Sequence, residues 1–462
     1  MFGSRKEKKN GLNIIIVGCG RVGATLVEQL SGEGHDITII DKDPSKIQEL
    51  TNLYDVMGYV GNGASFTVQI EAGIKDANLI IAVTESDELN LLCCTVARRV
   101  GDCAAIARVR NPDYSIEIGY LREKLGLAMI INPELEAARE MARILYLPTA
   151  LEVNSFAHGQ AELIKFRIPS GNVLDNLYIS DLGRHTPSDV LICAVERAGK
   201  ITIPSGDFQL KQGDVVSFVA HRKVVRAFFK DIGFKTNHVK STMIIGGGNA
   251  AYYLAKQLLH MGIDVKIVEK DFKRCEELSN LLPKATIING DGADESVLME
   301  EGIEDVESFV PLTGIDEENV LLTLHANQIS DAKVITKINK ITFHDVINRL
   351  DLGSVVYPRY ITSEAIIAYV RAKSASRGSN IETLYHMFDH RVEAIEFRVD
   401  TASKVTDTPI MNLSLKDNLL LCFINRQGKI IIPGGQDCIK PGDTVMIVTT
   451  HKGFNDISDI LR

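Results

Sequence analysis

Three glycines, Gly18, Gly20 and Gly23, follow an apolar run, NIIIV, with the spacing Gly-x-Gly-x-x-Gly. Glycine permits a tight turn and lets backbone N–H groups approach closely, as a bound phosphate requires. Asp41 lies 18 residues after Gly23, at the end of the next apolar run, where a carboxylate accepts hydrogen bonds from a ribose 2′-OH. The spacing therefore predicts a site for a nucleotide with an unmodified ribose, such as NAD or ATP.

The glycine motif and its acidic residue occur twice in the chain. Gly246 and Glu269 lie 228 residues after Gly18 and Asp41, with no gap between them. Farther along, the motif GNGA is matched by GDGA, and EAGIKDANLIIAVTESDELN is matched by EEGIEDVESFVPLTGIDEEN. Because separate motifs recur in the same order, the chain is a tandem duplication.

The second glycine loop departs from the first at two positions. Ala251 replaces the third glycine, which the dinucleotide fingerprint permits, and Asn249 stands where the first copy has Arg21. A strongly charged triphosphate therefore has one fewer side-chain partner in the second copy. Since Glu269 keeps the acidic group, nucleotide binding is predicted for both copies.

The elements that must position these loops are those of a dinucleotide-binding unit. NIIIV is typical of a buried parallel strand, a helix is expected from about Arg21, and DITIID predicts a second strand ending at Asp41. Val22, Leu26 and Leu30 share one helical face, which we expect to pack on the sheet. Each copy is therefore predicted to be an α/β unit with a Rossmann-type, doubly wound parallel sheet.

The second and fourth quarters of the chain also match each other. AGKITIPSGDFQLKQGDVVSFV aligns with QGKIIIPGGQDCIKPGDTVMIV, and both are short β-branched runs interrupted by Gly, Pro and Asp. This pattern predicts a small α+β domain after each Rossmann unit. NPELEAAREMARILYLPT and YPRYITSEAIIAYVRAKSASRGS are expected to form connecting helices, the latter ending in a loop over 374–380.

These patterns divide the chain into six segments. We predict a first Rossmann domain over 1–132, a connecting helix over 133–149, a first C-domain over 150–235, a second Rossmann domain over 236–358, a connecting helix over 359–378 and a second C-domain over 379–462.

Composition limits the classes of function. The net charge of −9 over 462 residues provides no general attraction to nucleic acid, so no nucleic-acid partner is expected. The basic, polar start of the chain has no apolar segment after it, and no run is long enough to span a bilayer. Most of the 8 cysteines lie in apolar runs, which is typical of reduced, buried thiols. We therefore expect a cytoplasmic protein that reaches a membrane only through a partner.

The sequence contains no evident set of catalytic residues. A nicotinamide dehydrogenase normally adds a large domain that supplies an acid or base, whereas each copy here is followed by about 85 residues before the pattern restarts. His185, His221 and His344 each occur in only one copy. The sequence favours a sensor and predicts no catalytic residue, with an oxidoreductase site between the domains kept as the alternative.

Two further constellations are interpreted as structural. His386 and His390 would suit a divalent metal if their segment, which includes Asp389, were helical, but no third ligand is evident. We expect an exposed turn before a strand there, and no metal site. Cys93 and Cys94 lie in an apolar helical run and are expected in the core.

The motif set as a whole resembles a known family. IIIVGCGRVG, GNGAS, AVTESDELN, IARVRNPDY and LKQGDVVSFV, together with Asp41, resemble the tandem RCK family of repeated TrkA-N and TrkA-C units, which regulates Trk potassium uptake. The resemblance covers essentially the whole chain. It implies NAD(H), ATP and ADP as ligands, no turnover, and a homotetrameric ring on the cytoplasmic face of the membrane beneath a TrkH or TrkG-type subunit. A regulator of a different channel or exchanger remains an alternative.

The resemblance also implies which residues bind the nucleotide. In the first copy these are Gly18, Cys19, Gly20, Arg21, Val22 and Gly23 in the phosphate loop, Asp41 at the ribose, Asn62 near the adenine, and Thr84, Glu85 and Arg108. In the second copy they are Gly246, Gly247, Gly248, Asn249, Ala250, Glu269, Asp291, Thr313, Gly314 and Lys337. Lys337 keeps the charge of Arg108 without its bidentate fork.

Overall fold

A computed structural model describes residues 11–115, 117–234, 236–339, 347, 349–374, 379–388 and 390–462. The described chain divides into two compact units. One comprises the described residues up to Ala137 together with Tyr357–Ile367, and the other comprises Ala138–Val356 together with Ala368–Arg462. Each unit therefore includes part of both connecting helices. The sequence pattern predicts the two helices but not this division of each of them.

The first Rossmann sheet has six parallel strands in the order β3-β2-β1-β4-β5-β6. Its strands are β1 (Asn13–Val17), β2 (Asp36–Asp41), β3 (Met57–Val60), β4 (Leu79–Ala82), β5 (Ala104–Arg108) and β6 (Met129–Ile131). Its helices are α1 (Arg21–Ser31), α2 (Pro44–Leu53), α3 (Phe66–Glu71), α4 (Asp87–Val100), α5 (Pro112–Ser115) and α6 (Ile118–Lys124). The predicted doubly wound fold is confirmed.

Burial explains why these segments form these elements. Four consecutive residues of β1 are buried, as expected for a strand covered by helices on both faces. On α1, Val22, Leu26 and Leu30 are buried, which confirms the face predicted from their spacing. Because strand order reverses between β1 and β4, the loops after these strands open a crevice at the carboxyl edge of the sheet.

The first C-domain follows helix α7 (Pro133–Tyr146). Its strands are β7 (Glu152–Phe156), β8 (Ala161–Arg167), β9 (Val190–Arg197), β10 (Lys200–Thr202) and β11 (Val215–His221), followed by helix α8 (Val225–Asp231). The strands form an antiparallel sheet in the order β10-β9-β11-β8-β7.

The second Rossmann domain repeats the topology of the first, with the strand order β14-β13-β12-β15-β16-β17. Its strands are β12 (Ser241–Ile245), β13 (Asp264–Glu269), β14 (Thr286–Asn289), β15 (Ser308–Pro311), β16 (Lys333–Lys337) and β17 (Ser354–Val356). Its helices are α9 (Asn249–His260), α10 (Phe272–Leu281), α11 (Glu295–Glu300) and α12 (Asp316–Ile329).

The second C-domain follows helix α13 (Pro358–Ser374). Its strands are β18 (Ser379–Met387), β19 (Val392–Val399), β20 (Leu419–Arg426), β21 (Lys429–Ile431) and β22 (Thr444–Thr449), in the antiparallel order β18-β19-β22-β20-β21. Both C-domains lie in the same compact unit and contribute to one hydrophobic cluster, in which Phe156 and Cys193 of the first pack with Cys422 and Phe423 of the second.

Two sequence expectations in this region need revision. His386 lies on β18 with its side chain 8% exposed and beside Glu393, so the predicted exposed turn is wrong. Ser374 ends α13 and Asn380 belongs to β18, so the loop predicted over 374–380 is wrong at both of its ends. His344, Asp389 and residues 375–378 lie outside the described residues.

The burial predicted for the adjacent cysteines is confirmed. Cys93 and Cys94 are fully buried on α4, as predicted. Of the helices in the described ranges, none combines the length and the apolar character that crossing a bilayer demands. Within those ranges, no cluster of three His, Cys, Asp or Glu side chains is arranged to hold a metal ion.

Candidate functional site

The candidate residues of the first copy follow neighbouring strands at one edge of the sheet. The glycine loop comes after β1, Asp41 ends β2, Asn62 follows β3, Thr84 follows β4 and Arg108 ends β5. Because all these strands are parallel, their carboxyl ends lie along the same edge, and the structure brings the candidate residues together there.

Two of the loop glycines are required by the backbone itself. Gly18 has φ +99° and donates its N–H to Ile40 O at 2.8 Å. A Cβ on Gly18 would lie 2.8 Å from Thr84 N, and a Cβ on Gly23 would lie 1.9 Å from Gly18 O. These glycines therefore set the tight turn and the close contact of α1 with the loop.

Gly20 has a different role, because its surroundings are open. A Cβ built on Gly20 meets no atom within 4 Å, and no side chain caps the N-terminus of α1 that follows it. Helix α4, by contrast, is capped by Ser86 Oγ, which accepts the N–H of Leu89 at 3.1 Å. The first N–H groups of α1 therefore remain for an external acceptor, which the helix dipole favours as an anion.

Asp41 joins the end of β2 to the glycine loop. Its Oδ2 accepts the N–H of Cys19 at 2.6 Å, and its Oδ1 accepts the N–H of Asp43 at 2.9 Å. Each carboxylate oxygen has a second lone pair, so Asp41 fixes the loop and still has acceptor capacity for a ribose hydroxyl.

Cys19 lies within this loop but is not a reactive thiol. Burial raises its pKa to about 12, and the charge of Asp41 adds to the effect. The thiolate is the nucleophilic and metal-binding form of cysteine, so Cys19 is inert at neutral pH. The loop therefore offers backbone N–H groups, not thiol chemistry.

Thr84 and Arg108 are tied together by Asn90, which the sequence did not single out. Asn90 Oδ1 accepts both the N–H and the Oγ1–H of Thr84, at 2.8 and 2.7 Å, and its Nδ2 donates to Arg108 O at 2.9 Å. The Arg108 guanidinium donates from Nη2 to Thr84 O. Asn90 thus holds the ends of β4 and β5 in one arrangement.

Charged groups surround this position. Burial lowers the pKa of Arg108 and raises that of Glu134. Within the part of the chain that the structure describes, Arg108 Nε is buried and has no hydrogen-bond acceptor. A buried guanidinium donor without an acceptor is costly, so an anionic or carbonyl acceptor from a ligand would be favourable here.

Asn62 and Asp291, expected near the adenine, use their side chains in local turns. Asn62 Oδ1 accepts the N–H of Ala64 at 3.1 Å, and Asp291 Oδ1 accepts that of Ala293 at 3.0 Å. Glu85 is bonded through its backbone, since its carbonyl accepts Arg110 Nη2. These contacts shape the rim of the crevice.

The second copy repeats the main contacts. Gly246 has φ +94° and donates to Val268 O at 2.8 Å. Glu269 Oε2 accepts the N–H of Gly247 at 2.6 Å, as Asp41 does for Cys19. Gly248 precedes α9 with open space around it and no side-chain cap.

The other candidate residues of the second copy occupy positions that correspond to those of the first copy. Asn319 Oδ1 accepts the N–H of Thr313 at 2.9 Å, and Asn319 Nδ2 donates to Lys337 O at 3.1 Å. Lys337 Nζ donates to Leu312 O at 3.1 Å. Gly314, where the first copy has Glu85, carries no side chain, and Asn249 and Ala250 begin α9.

The two loops differ in one contact that sequence spacing did not predict. Arg274 on α10 donates from Nε to Gly247 O at 2.7 Å. Gly247 also makes room for the longer acid, because a Cβ there would lie 3.0 Å from Glu269 Cγ and 2.6 Å from Leu278 Cδ1. Cys19 with Asp41, and Gly247 with Glu269, are therefore matched pairs of loop residue and acid.

The duplicated sequence motifs already pointed to some of the site residues that were not predicted. Asn90 and Asn319 end the matched motifs AVTESDELN and PLTGIDEEN, so the duplication marked them. Asp87 and Asp316 are matched in the same way: Asp87 accepts the backbone N–H groups of Arg110 and Asn111, and Asp316 accepts that of Asn339. Arg274 had no such signal, because Lys46 stands in its place.

The residues present fit a nucleotide. The first loop offers an uncapped helix N-terminus, open space at Gly20, a carboxylate at the end of β2 and the buried Arg108 Nε. These features suit a phosphate group, a ribose and a further acceptor respectively. Within the described residues of the first crevice, no histidine contact is found that would place an acid or base beside a substrate.

Comparison with known families supports the duplicated plan. Residues 14–133 and 242–358 match the TrkA-N domain, and residues 163–233 and 394–462 match the TrkA-C domain. The chain is similar to the Trk system potassium uptake protein TrkA of Haemophilus influenzae, with 31% identity over 445 residues and 96% of each chain covered. It is also 31% identical over 451 residues to the TrkA homolog of Archaeoglobus fulgidus, covering 98% of this chain and 100% of that protein.

Solved structures share the fold. The GsuK RCK domain aligns with a TM-score of 0.64 at 16% identity, covering 95% of this chain and 92% of that one. The GsuK channel bound to NAD aligns with a TM-score of 0.63 at 16% identity, covering 95% of this chain and 77% of that one.

Proposed function

This chain belongs to the TrkA family, and we propose that it is a nucleotide-sensing regulatory subunit of a Trk-type potassium-uptake system. The observation that carries the proposal is the duplicated glycine loop. In each copy an acid at the end of the second strand holds the loop, and the following helix begins without a side-chain cap.

The proposed ligands are NAD(H), ATP and ADP. In the first copy Gly18, Gly20 and Gly23 would form the phosphate cradle with Arg21 beside it, and Asp41 would bind the ribose. The GsuK channel, whose fold this chain shares, has been solved bound to NAD, which supports a dinucleotide as one ligand. The nucleotide supplies binding free energy in this proposal, and no chemical step follows.

The mechanism is linkage between binding and shape. A nucleotide that binds one arrangement of the Rossmann domains more tightly than another shifts the population toward that arrangement. Only the difference in affinity between arrangements is available to act on a partner. The partner we propose is a TrkH or TrkG-type membrane subunit, and the assembled form is a homotetrameric ring at the cytoplasmic face of the membrane.

A regulatory subunit and an oxidoreductase would both bind NADH, but only the oxidoreductase would oxidise it in the presence of a substrate. Calorimetry on the purified chain is expected to show saturable binding of NADH and ATP. Incubation with NADH and a panel of carbonyl substrates is expected to leave the absorbance of NADH unchanged. Steady oxidation of NADH would favour the oxidoreductase, and no binding of any nucleotide would overturn the proposal.

A further inference from the structure

The carbonyl of Gly247 in the second glycine loop is held by an arginine. Arg274 donates from Nε to Gly247 O at 2.7 Å and from Nη1 to Glu277 Oε2 at 2.8 Å. Its Nη2 is buried and has no hydrogen-bond partner among the described residues. With two of its three nitrogens bonded, the planar guanidinium is fixed against the loop.

This contact orients the next peptide N–H. In a planar trans peptide unit the N–H points opposite to the C=O. Because Arg274 binds the carbonyl of Gly247, the N–H of Gly248 in the same peptide unit points away from Arg274. A Cβ built on Gly248 meets no atom within 4 Å, so the space beside this residue is open.

The first copy lacks this arrangement. Lys46 occupies the position of Arg274, five residues after the acid of the strand. In the described ranges no hydrogen bond joins Lys46 to the first loop. A lysine ammonium is a point charge without the planar fork of arginine. The first loop has Arg21 beside it, whereas the second has Asn249 there.

We propose that Arg274 is a positioning residue for the second nucleotide site, and that this site takes a ligand with a diphosphate, either a dinucleotide or a nucleoside diphosphate. The inference rests on the proposed function, since it takes the second loop to be a nucleotide site. Arg274 fixes the orientation of the peptide unit between Gly247 and Gly248. The backbone N–H of Gly248 is then placed to donate to the diphosphate. Asn249 offers no charge for a third phosphate, so the second site gains nothing from one.

The test isolates the second site in the full-length chain. Gly20→Val fills the open space of the first loop, and NAD, ADP and ATP are then titrated by calorimetry. Adding Arg274→Ala is expected to weaken NAD and ADP binding by about tenfold, and Arg274→Lys is expected to restore only part of it. ADP and ATP are expected to bind within about threefold of each other when Arg274 is present.

Lys46→Ala in the Gly20→Val protein is the matched control, and it is expected to leave the second site unchanged. The thermal midpoint without ligand is expected to fall by no more than a few degrees in Arg274→Ala, because the hydrogen bond to Gly247 O is lost while the fold is kept. Unchanged affinity in Arg274→Ala, or no nucleotide binding in the Gly20→Val protein, would each overturn the inference. Absence of nucleotide binding in the wild-type chain would instead overturn the proposed function.

Discussion

The carboxylate of Asp41 accepts the backbone N–H of Cys19 at 2.6 Å, which joins the end of the second strand to the glycine loop of the first. Glu269 makes the same contact with Gly247 at 2.6 Å in the second copy. The acid that the fingerprint assigns to the ribose is therefore also part of the loop's own structure. We therefore expect removal of its charge to affect both the shape of the loop and the binding of a nucleotide.

Asp41→Asn tests this double role. We expect the affinity of the first site for NADH to fall by about tenfold or more, because a hydrogen bond to a charged group contributes about 1.5–3 kcal/mol. Glu269→Gln is the matched variant and is expected to spare the first site. Calorimetric titration resolves the two sites, and an unchanged first-site affinity in Asp41→Asn would contradict the assignment.

Substitutions at Gly20 and Gly23 are predicted to have different effects: the first abolishes nucleotide binding, and the second lowers the stability of the fold. Gly20 has an extended backbone and open surroundings but is the N-cap of α1, so Gly20→Val is expected to lower the free energy of unfolding by about 1 kcal/mol or less while abolishing binding at the first site. In Gly23→Ala the new Cβ would lie 1.9 Å from Gly18 O, and the expected loss of stability is about 1–3 kcal/mol.

Thermal melting and nucleotide titration of the two glycine variants check this prediction. Ala251→Gly is the control, since the second copy already carries alanine where the first has Gly23. Undiminished binding in Gly20→Val would show that the open space beside the first loop is not the ligand site.

Arg21→Ala is predicted to distinguish ATP from NADH. Arg21 is exposed at the first turn of α1, where its charge would favour an additional γ-phosphate. We expect ATP affinity to fall by roughly tenfold and NADH affinity to fall by less than about threefold. Asn249→Ala serves as the neutral control in the second copy. Equal losses of affinity for ATP and NADH in Arg21→Ala would contradict this prediction.

The ion pair of Arg371 with Glu393 makes the second C-domain sensitive to acid. The pair is bidentate, at 3.0 and 3.1 Å, and both side chains are almost fully buried. Burial alone would raise the pKa of Glu393, but hydrogen bonds from His386 and Arg371 outweigh it and lower that pKa to about 2. Because the folded pKa lies below the ordinary 4.5, this carboxylate stabilises the fold above about pH 4.5 and loses that effect as the pH falls toward 2.

Glu393→Gln is expected to cost about 3–5 kcal/mol at pH 7, because it removes one charge of a buried, bidentate ion pair. The difference in stability between wild type and Glu393→Gln should shrink steadily below pH 4.5, as followed by chemical denaturation. Arg371→Met with Glu393→Leu, which removes both charges, should recover much of the loss. A difference that does not depend on pH would contradict the prediction.

Much of the fold followed from local patterns. The buried face of α1 and the acid at the end of β2 were predictable because helical period and strand length are local properties. The pairing of the two C-domains was not, because Cys193 and Cys422 meet only through packing between the copies. The six-segment division of the chain stays a prediction.

The candidate site was predicted less completely than the fold. His386 was wrongly assigned to an exposed turn, because the sequence alone does not show that its segment pairs as β18 or that Glu393 lies beside it. Arg274 was missed since its role depends on the reach of a side chain from α10 to the loop. Asn90 was visible in the duplication but was not singled out, because its hydrogen bonds join strand ends that are distant in sequence.

Potassium flux into liposomes tests the central claim most directly. The chain is reconstituted with a TrkH-type membrane subunit, and flux is measured with and without NADH, ATP or ADP. We predict that at least one nucleotide changes the flux, and that the Gly20→Val chain still associates with the membrane subunit but responds less to that nucleotide. Flux that is the same with every nucleotide, or the same response in wild type and Gly20→Val, would contradict the account.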